Sequence, residues 1–114
     1  MLGYRVSLRE RWADAEMIYA TWVQLYPSDA EAWTNLGAVF EKRDRLDAAE
    51  NANRIALGID PRRADPHYNL GVIRWRQERW SEAADAFAAA LERRPGQAAW
   101  KRFLDLARAR AASK

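Results

Sequence analysis

The stretch AWTNLGAVFE, residues 32–41, carries a helical pattern with a glycine, Gly37, at its centre. Trp33, Leu36, Gly37 and Phe40 fall at i, i+3, i+4 and i+7, which is one face of a helix. A glycine inside a helix costs about 1 kcal/mol relative to alanine. Its presence asks for a compensating close contact. Shifting the chain by 34 residues shows that the pattern recurs: Leu2-Gly3 falls on Leu36-Gly37 and then on Leu70-Gly71. Ala15, Ala49 and Ala83 coincide, as do Val23, Leu57 and Leu91, and then Pro27, Pro61 and Pro95. Trp12, Leu46 and Trp80 share one large apolar place, and Asn35 falls on Asn69.

Each unit reads as helix, turn, helix, proline. Ser28 and Glu31 have the spacing of a capping box before the Trp33 helix. Asp65 is placed to cap the next unit, with Pro66 in the first turn. The second helices are WADAEMIYATWVQL, LDAAENANRIALGI and WSEAADAFAAALER, each stopped by a proline. Two antiparallel helices approach closely where one side chain is a hydrogen and the facing one a methyl. Gly37 is therefore expected opposite Ala49, and Gly71 opposite Ala83.

Tryptophan, Leu-Gly, aromatic, alanine, alanine and proline at this period resemble the tetratricopeptide repeat. The fullest copy is residues 30–63, with Trp33, Leu36, Gly37, Phe40, Ala49, Ala56 and Pro61. Residues 64–97 keep Leu70, Gly71, Ala83, Phe87, Ala90 and Pro95, and residues 1–29 keep Leu2, Gly3, Ala15, Tyr19 and Pro27. The sequence departs from the pattern at Asn53, His67, Arg74 and Trp22. The resemblance implies an all-α fold: one right-handed α-solenoid of antiparallel helix pairs, about seven helices in all. Repeat 1 (residues 1–29) would have a truncated first helix, and repeats 2 and 3 would be complete. Residues 98–112 would form a capping helix with Trp100, Phe103, Leu104, Leu106 and Ala107 facing inward.

The 114 residues are 49% hydrophobic and 31% charged, the balance of a folded domain. No apolar run approaches the length of a membrane span, and the start, MLGYRVSLRER, lacks the pattern of a signal peptide. A cytoplasmic location is the default expectation. With no cysteine, disulfides and thiolate metal sites are excluded. The only histidine is His67, without metal-ligand spacing, and the five glycines form no phosphate loop. No catalytic residue, metal or cofactor is therefore expected, and the chain reads as a non-catalytic interaction module.

Its expected partner is a protein or peptide in the concave groove that first helices line in such repeats. The face next to the core face offers Thr34, Asn35, Ala38, Glu41 and Lys42 in repeat 2, and Tyr68, Asn69, Val72, Trp75 and Arg76 in repeat 3. The first unit would add Tyr4, Ser7 and Leu8, and the last helix Arg102, Phe103, Leu106 and Arg110. Asn35 and Asn69 would form a ladder able to donate to and accept from a peptide backbone, similar to the asparagine ladders of protein glycosyltransferase repeats. The chaperone-binding carboxylate clamp of this family does not fit. Asn35 is present, but Asp65 and Asn69 stand where basic residues are required, and Tyr4 where an asparagine is.

Other readings are a substrate-recruiting segment of a larger enzyme such as a transferase, and a homo-oligomer formed through the incomplete N-terminal end at Leu2, Val6 and Leu8. From Leu91 onward seven basic and two acidic residues give +5, against −2 for the rest of a chain of net charge +3. This end reads as a solvated helix. Nucleic acid is not the expected partner, and its binding would show steep salt dependence.

Overall fold

Recurrent prolines and alternating apolar faces divide the chain into helices joined by short turns. The computed structural model describes residues 8–113, and among them it shows six helices and no strand. They are α1 (Leu8–Leu25), α2 (Ala30–Lys42), α3 (Leu46–Ile59), α4 (Asp65–Arg76), α5 (Trp80–Arg93) and α6 (Ala98–Ala112). Helices α2 and α3 form one antiparallel pair, α4 and α5 the next, and α6 packs on α5. The result is a helical solenoid measuring 51 × 34 × 26 Å.

The turns inside the two complete pairs are built alike. Asp44 and Glu78, one repeat apart, both adopt left-handed backbone, with φ of 64° and 58°. Behind them the Arg45 and Arg79 N–H groups donate to the Phe40 and Arg74 carbonyls, each 2.9 Å away, closing the helix ends. The equivalent position in the first unit is Glu10, which lies within α1. The expected start of this helix at Trp12 is thus corrected to Leu8, because nothing between Leu8 and Trp12 breaks the helix. The truncated first helix falls on residues 1–7, outside the described residues, except Leu8, which opens α1.

The capping expectations also need correction. Asp29, not Ser28, caps α2, its carboxylate accepting from the Ala32 N–H at 3.1 Å. Asp65 does not cap α4. It is the first helical residue, and its carboxylate accepts from Arg94 at 2.9 Å. Pro66 does occupy the first turn of α4.

The reason for the glycines is a close approach, but to different partners from those expected. A Cβ on Gly37 would lie 2.5 Å from the Asn53 amide nitrogen, and one on Gly71 would lie 2.6 Å from the Phe87 ring. Asn53 and Phe87 are one repeat apart and sit one helical turn beyond Ala49 and Ala83. The glycine therefore admits a large side chain rather than a methyl.

The core changes in character along the stack. Phe87, Ala83, Ala84, Leu104 and Ala107 form an apolar cluster between α5 and α6, backed by Tyr68, Val72 and Trp75 of α4. In the middle, Asn53 is fully buried, and Arg74, nearly buried, is paired with Glu50. That hydrogen bond from Arg74 is the main reason the Glu50 carboxyl lies below the usual carboxylate range. On α6, Trp100, Leu104 and Ala107 are buried as expected, whereas Phe103 and Leu106 are 37% and 49% exposed. The stripe 100–104–107 is enclosed and Leu106 lies outside it, while Phe103 sits at its edge with its ring centroid 5.8 Å from that of Phe87 on α5.

Candidate peptide-binding groove

The first helices of successive pairs lie side by side through two kinds of contact. The Asn69 amide of α4 donates to the Thr34 carbonyl of α2 at 3.3 Å and to the Asn53 side-chain oxygen at 3.0 Å. Tyr68 of α4 stacks on Trp100 of α6, with ring centroids 5.0 Å apart. Asn35, Asn69 and Phe103 share one position in the repeat, so they stand in register across α2, α4 and α6.

Many of the residues expected to meet a ligand are committed within the chain. Thr34 is a correction: it is 4% exposed, and its hydroxyl donates to the Ala30 carbonyl at 2.8 Å. Asn69 ties α4 to α2 and α3, as described. Tyr68 is half-buried, and burial, with a lesser effect from the Glu41 charge, pushes its hydroxyl pKa up. Val72 packs on the Phe87 cluster. Trp75 is half-buried, meets Trp80 edge-on at 4.8 Å, and has the Arg110 guanidinium 5.5 Å from its centroid. Arg76 donates to the Glu41 carbonyl and carboxylate, both at 2.6 Å, and to Asp44.

Others remain accessible. Ala38 and Asn35 are half-exposed, and Lys42 and Arg102 are exposed. Asn35 makes no side-chain hydrogen bond among the described residues. Its counterpart Asn69 reaches the Asn53 amide, but in the first unit the place of Asn53 is taken by Tyr19. Tyr4 lies outside the described residues, and Leu8 lies on α1, the second helix of its unit. A cavity of about 350 Å³ between α1 and α2 is lined by Ile18, Tyr19, Trp22 and Asn35, together with Asp29 and Glu31. Sequence reasoning noted Trp22 only as a departure from pattern; its bulk at a place held elsewhere by alanine was the available signal.

The family profile of the tetratricopeptide repeat matches residues 9–67, 55–98 and 68–113. The chain belongs to the tetratricopeptide repeat family. Such repeats are protein-interaction modules whose stacked helices present an extended binding surface. The chain is similar to the Arabidopsis OM64 TPR domain, with 25% identity and a TM-score of 0.83 over 87% of this chain and 82% of that one. It shares the fold of the first TPR of Spaghetti (RPAP3), solved bound to an HSP90 peptide, at 17% identity and a TM-score of 0.86, covering 92% and 83% of the two chains. It is also 40% identical over 57 residues to the Xenopus laevis protein O-mannosyl-transferase tmtc2, a match spanning 50% of this chain and 7% of the transferase.

In this tetratricopeptide stack the α2 cap is also an electrostatic feature. The Trp22 indole N–H, 2.8 Å away, and then the Ala32 backbone N–H hold the Asp29 carboxyl below its ordinary pKa. A depressed carboxylate stabilises the fold above its unfolded pKa, and the contribution is lost as pH falls through the folded value. Asp29→Asn is expected to lower the melting temperature by a few degrees at neutral pH. The difference from wild type should begin to narrow below about pH 4 and close only as the pH falls through the depressed folded value, where the wild-type carboxylate also loses its charge. Thermal melts of both proteins across pH 2–7 check this.

His67 is half-buried, and burial, then Arg93, lowers its pKa. Among the described residues no group of three or more His, Asp or Glu side chains is placed to hold a metal, and no helix is long and apolar enough to cross a membrane.

Proposed function

We propose that this chain is a non-catalytic adaptor that holds an extended peptide, or an extended segment of a partner domain, along α2, α4 and α6. The observation that carries the proposal is the uncommitted amide of Asn35. Asn69 shows what an amide at this register position does when a backbone is in reach: it donates to the Thr34 carbonyl. Asn35 is free to do the same for a bound peptide while accepting from a peptide N–H. Exposed Phe103 and Leu106 supply apolar contact farther along, and Lys42 and Arg102 favour carboxylates. The ligand is thus an extended segment with apolar and acidic side chains, recognised partly through its backbone. A cytoplasmic location belongs to the same proposal.

Binding to an arrayed library of extended peptides tests it. Asn35→Ala combined with Leu106→Asp changes only accessible side chains and should leave the circular dichroism spectrum unaltered. The variant should bind at least about tenfold more weakly, the loss of one hydrogen bond and one apolar contact. Equal binding by both proteins removes the groove from consideration. A second reading, a substrate-recruiting segment of a larger transferase, is supported by the 40% identity over 57 residues to the O-mannosyl-transferase. It uses the same groove and predicts binding to acceptor polypeptides of such an enzyme.

A further inference from the structure

One place in the repeat carries a cation in three successive units. Lys42, Arg76 and Arg110 stand one repeat apart, toward the ends of α2, α4 and α6. Arg76 is spent inside the stack, donating to the Glu41 carboxylate at 2.6 Å and to Asp44. Arg110 meets a different wall. Trp75 takes the place of Glu41, and Trp80 that of Leu46. The Arg110 guanidinium lies 5.5 Å from the Trp75 centroid and 5.0 Å from the Trp80 centroid, and the two rings meet edge-on. Glu78 stands at the place of Asp44, yet neither it nor any other carboxylate pairs with Arg110 among the described residues. Nor is exposure at this place a property of the last helix alone: Arg76 is exposed although α5 and α6 follow it.

On the reading that the groove holds an extended peptide, we infer that Arg110 receives an acidic side chain of that peptide. Indole faces engage the flat side of a guanidinium and leave its edge, with five N–H donors, open. Trp75 and Trp80 therefore fix the side chain without neutralising it. A fork already held in place loses little freedom when a carboxylate accepts two parallel N–H bonds from it. The other two cations are less suited. Arg76 is occupied by Glu41 and Asp44, and Lys42 is a point charge with the Glu41 carboxylate 3.9 Å away. Selection for acid is thus strongest at the α6 end. Leu106, 49% exposed, lies one turn before Arg110, about 6 Å along the helix. The favoured ligand places an acidic residue beside an apolar one there and needs no charge where it passes Asn35.

The test uses acidic peptides amidated at the C-terminus, so that any carboxylate read belongs to a side chain. Each is compared with a copy carrying glutamine for glutamate. The full wild-type chain should prefer the glutamate form about tenfold. Arg110→Met keeps a flexible stem against the indoles and should bind both forms as wild type binds the glutamine form. Arg110→Glu should reverse the preference, binding a copy with lysine for glutamate better than the original. An equal loss for the glutamate and glutamine forms would mean that Arg110 only supports the packing of Trp75 and Trp80, and it overturns the inference. So does an Arg110→Met protein with the wild-type preference. In both cases the groove itself stands if Asn35→Ala with Leu106→Asp still weakens binding. If no peptide binds wild type, the groove reading fails and the role of Arg110 falls with it.

Discussion

Gly71→Val is expected to destabilise the fold by about 3 kcal/mol and to lower the melting temperature by at least about 10 °C. On an open helix surface a glycine replaced by alanine or valine gains helix propensity. Here the first added carbon already lies 2.6 Å from the Phe87 ring. Phe87 cannot give way, because it is enclosed by Ala83, Leu104 and Ala107 and touched by Tyr68 and Phe103. Even Gly71→Ala should therefore destabilise, reversing the sign of the propensity effect. Gly58, with nothing within 4 Å of an added Cβ, is the internal control, and Gly58→Ala should stabilise by up to about 1 kcal/mol. Chemical denaturation of the three variants checks the contrast. Equal effects at positions 58 and 71 would mean that the close approach to Phe87 is not what retains the glycine.

Asn53→Ala is expected to cost about 2–3 kcal/mol. Asn53 is completely buried, donates to the Ala49 carbonyl at 2.8 Å, and accepts from Asn69 at 3.0 Å. Truncation leaves a void beside Gly37 and removes one of the two acceptors of the Asn69 amide. Part of the cost is therefore a stranded donor. Asn53→Ala and Asn69→Ala together should cost less than the sum of the two single changes. Additive losses in a double-mutant cycle would show that Asn53 contributes by filling space alone.

These two contacts also show how far the sequence could be read. The Leu-Gly, alanine and proline recurrence is a property of one chain against itself, so it revealed the repeat and the helix pairs without any knowledge of contacts. The need for a close approach at Gly37 and Gly71 followed from the same recurrence. The facing residue did not. Which turn of the second helix meets the glycine depends on the register of two antiparallel helices, and a one-turn shift moves the partner from Ala49 to Asn53 and from Ala83 to Phe87.

The groove was legible only in outline. Residue types suitable for ligands were visible at Tyr68, Trp75 and Arg76, but their partners sit on neighbouring helices. Trp100, Trp80 with Arg110, and Glu41 with Asp44 claim them in turn. Thr34 was assigned by a rotation of the helical wheel, and a small error in that rotation separates a lining residue from a buried one. Trp22 carried its message in size alone, since the alanines at the same place in the other units, Ala56 and Ala90, are fully buried.

The arginine contacts bear on how the stack behaves as a material. Arg43 and Arg45 reach Glu16, Arg74 reaches Glu50, Arg76 reaches Glu41 and Asp44, and Arg94 reaches Asp65. All of these but Arg94–Asp65, which ties α4 to α5 within one pair, join one helix pair to the next. In a linear array, the neighbour-to-neighbour term decides whether the units act as a single elastic rod or as beads that bend and melt on their own. Part of that term here is electrostatic, and its exposed members weaken as ions screen them. The stiffness of the rod, and with it the curvature offered to a partner, is therefore set by the surrounding medium as well as by the packed core.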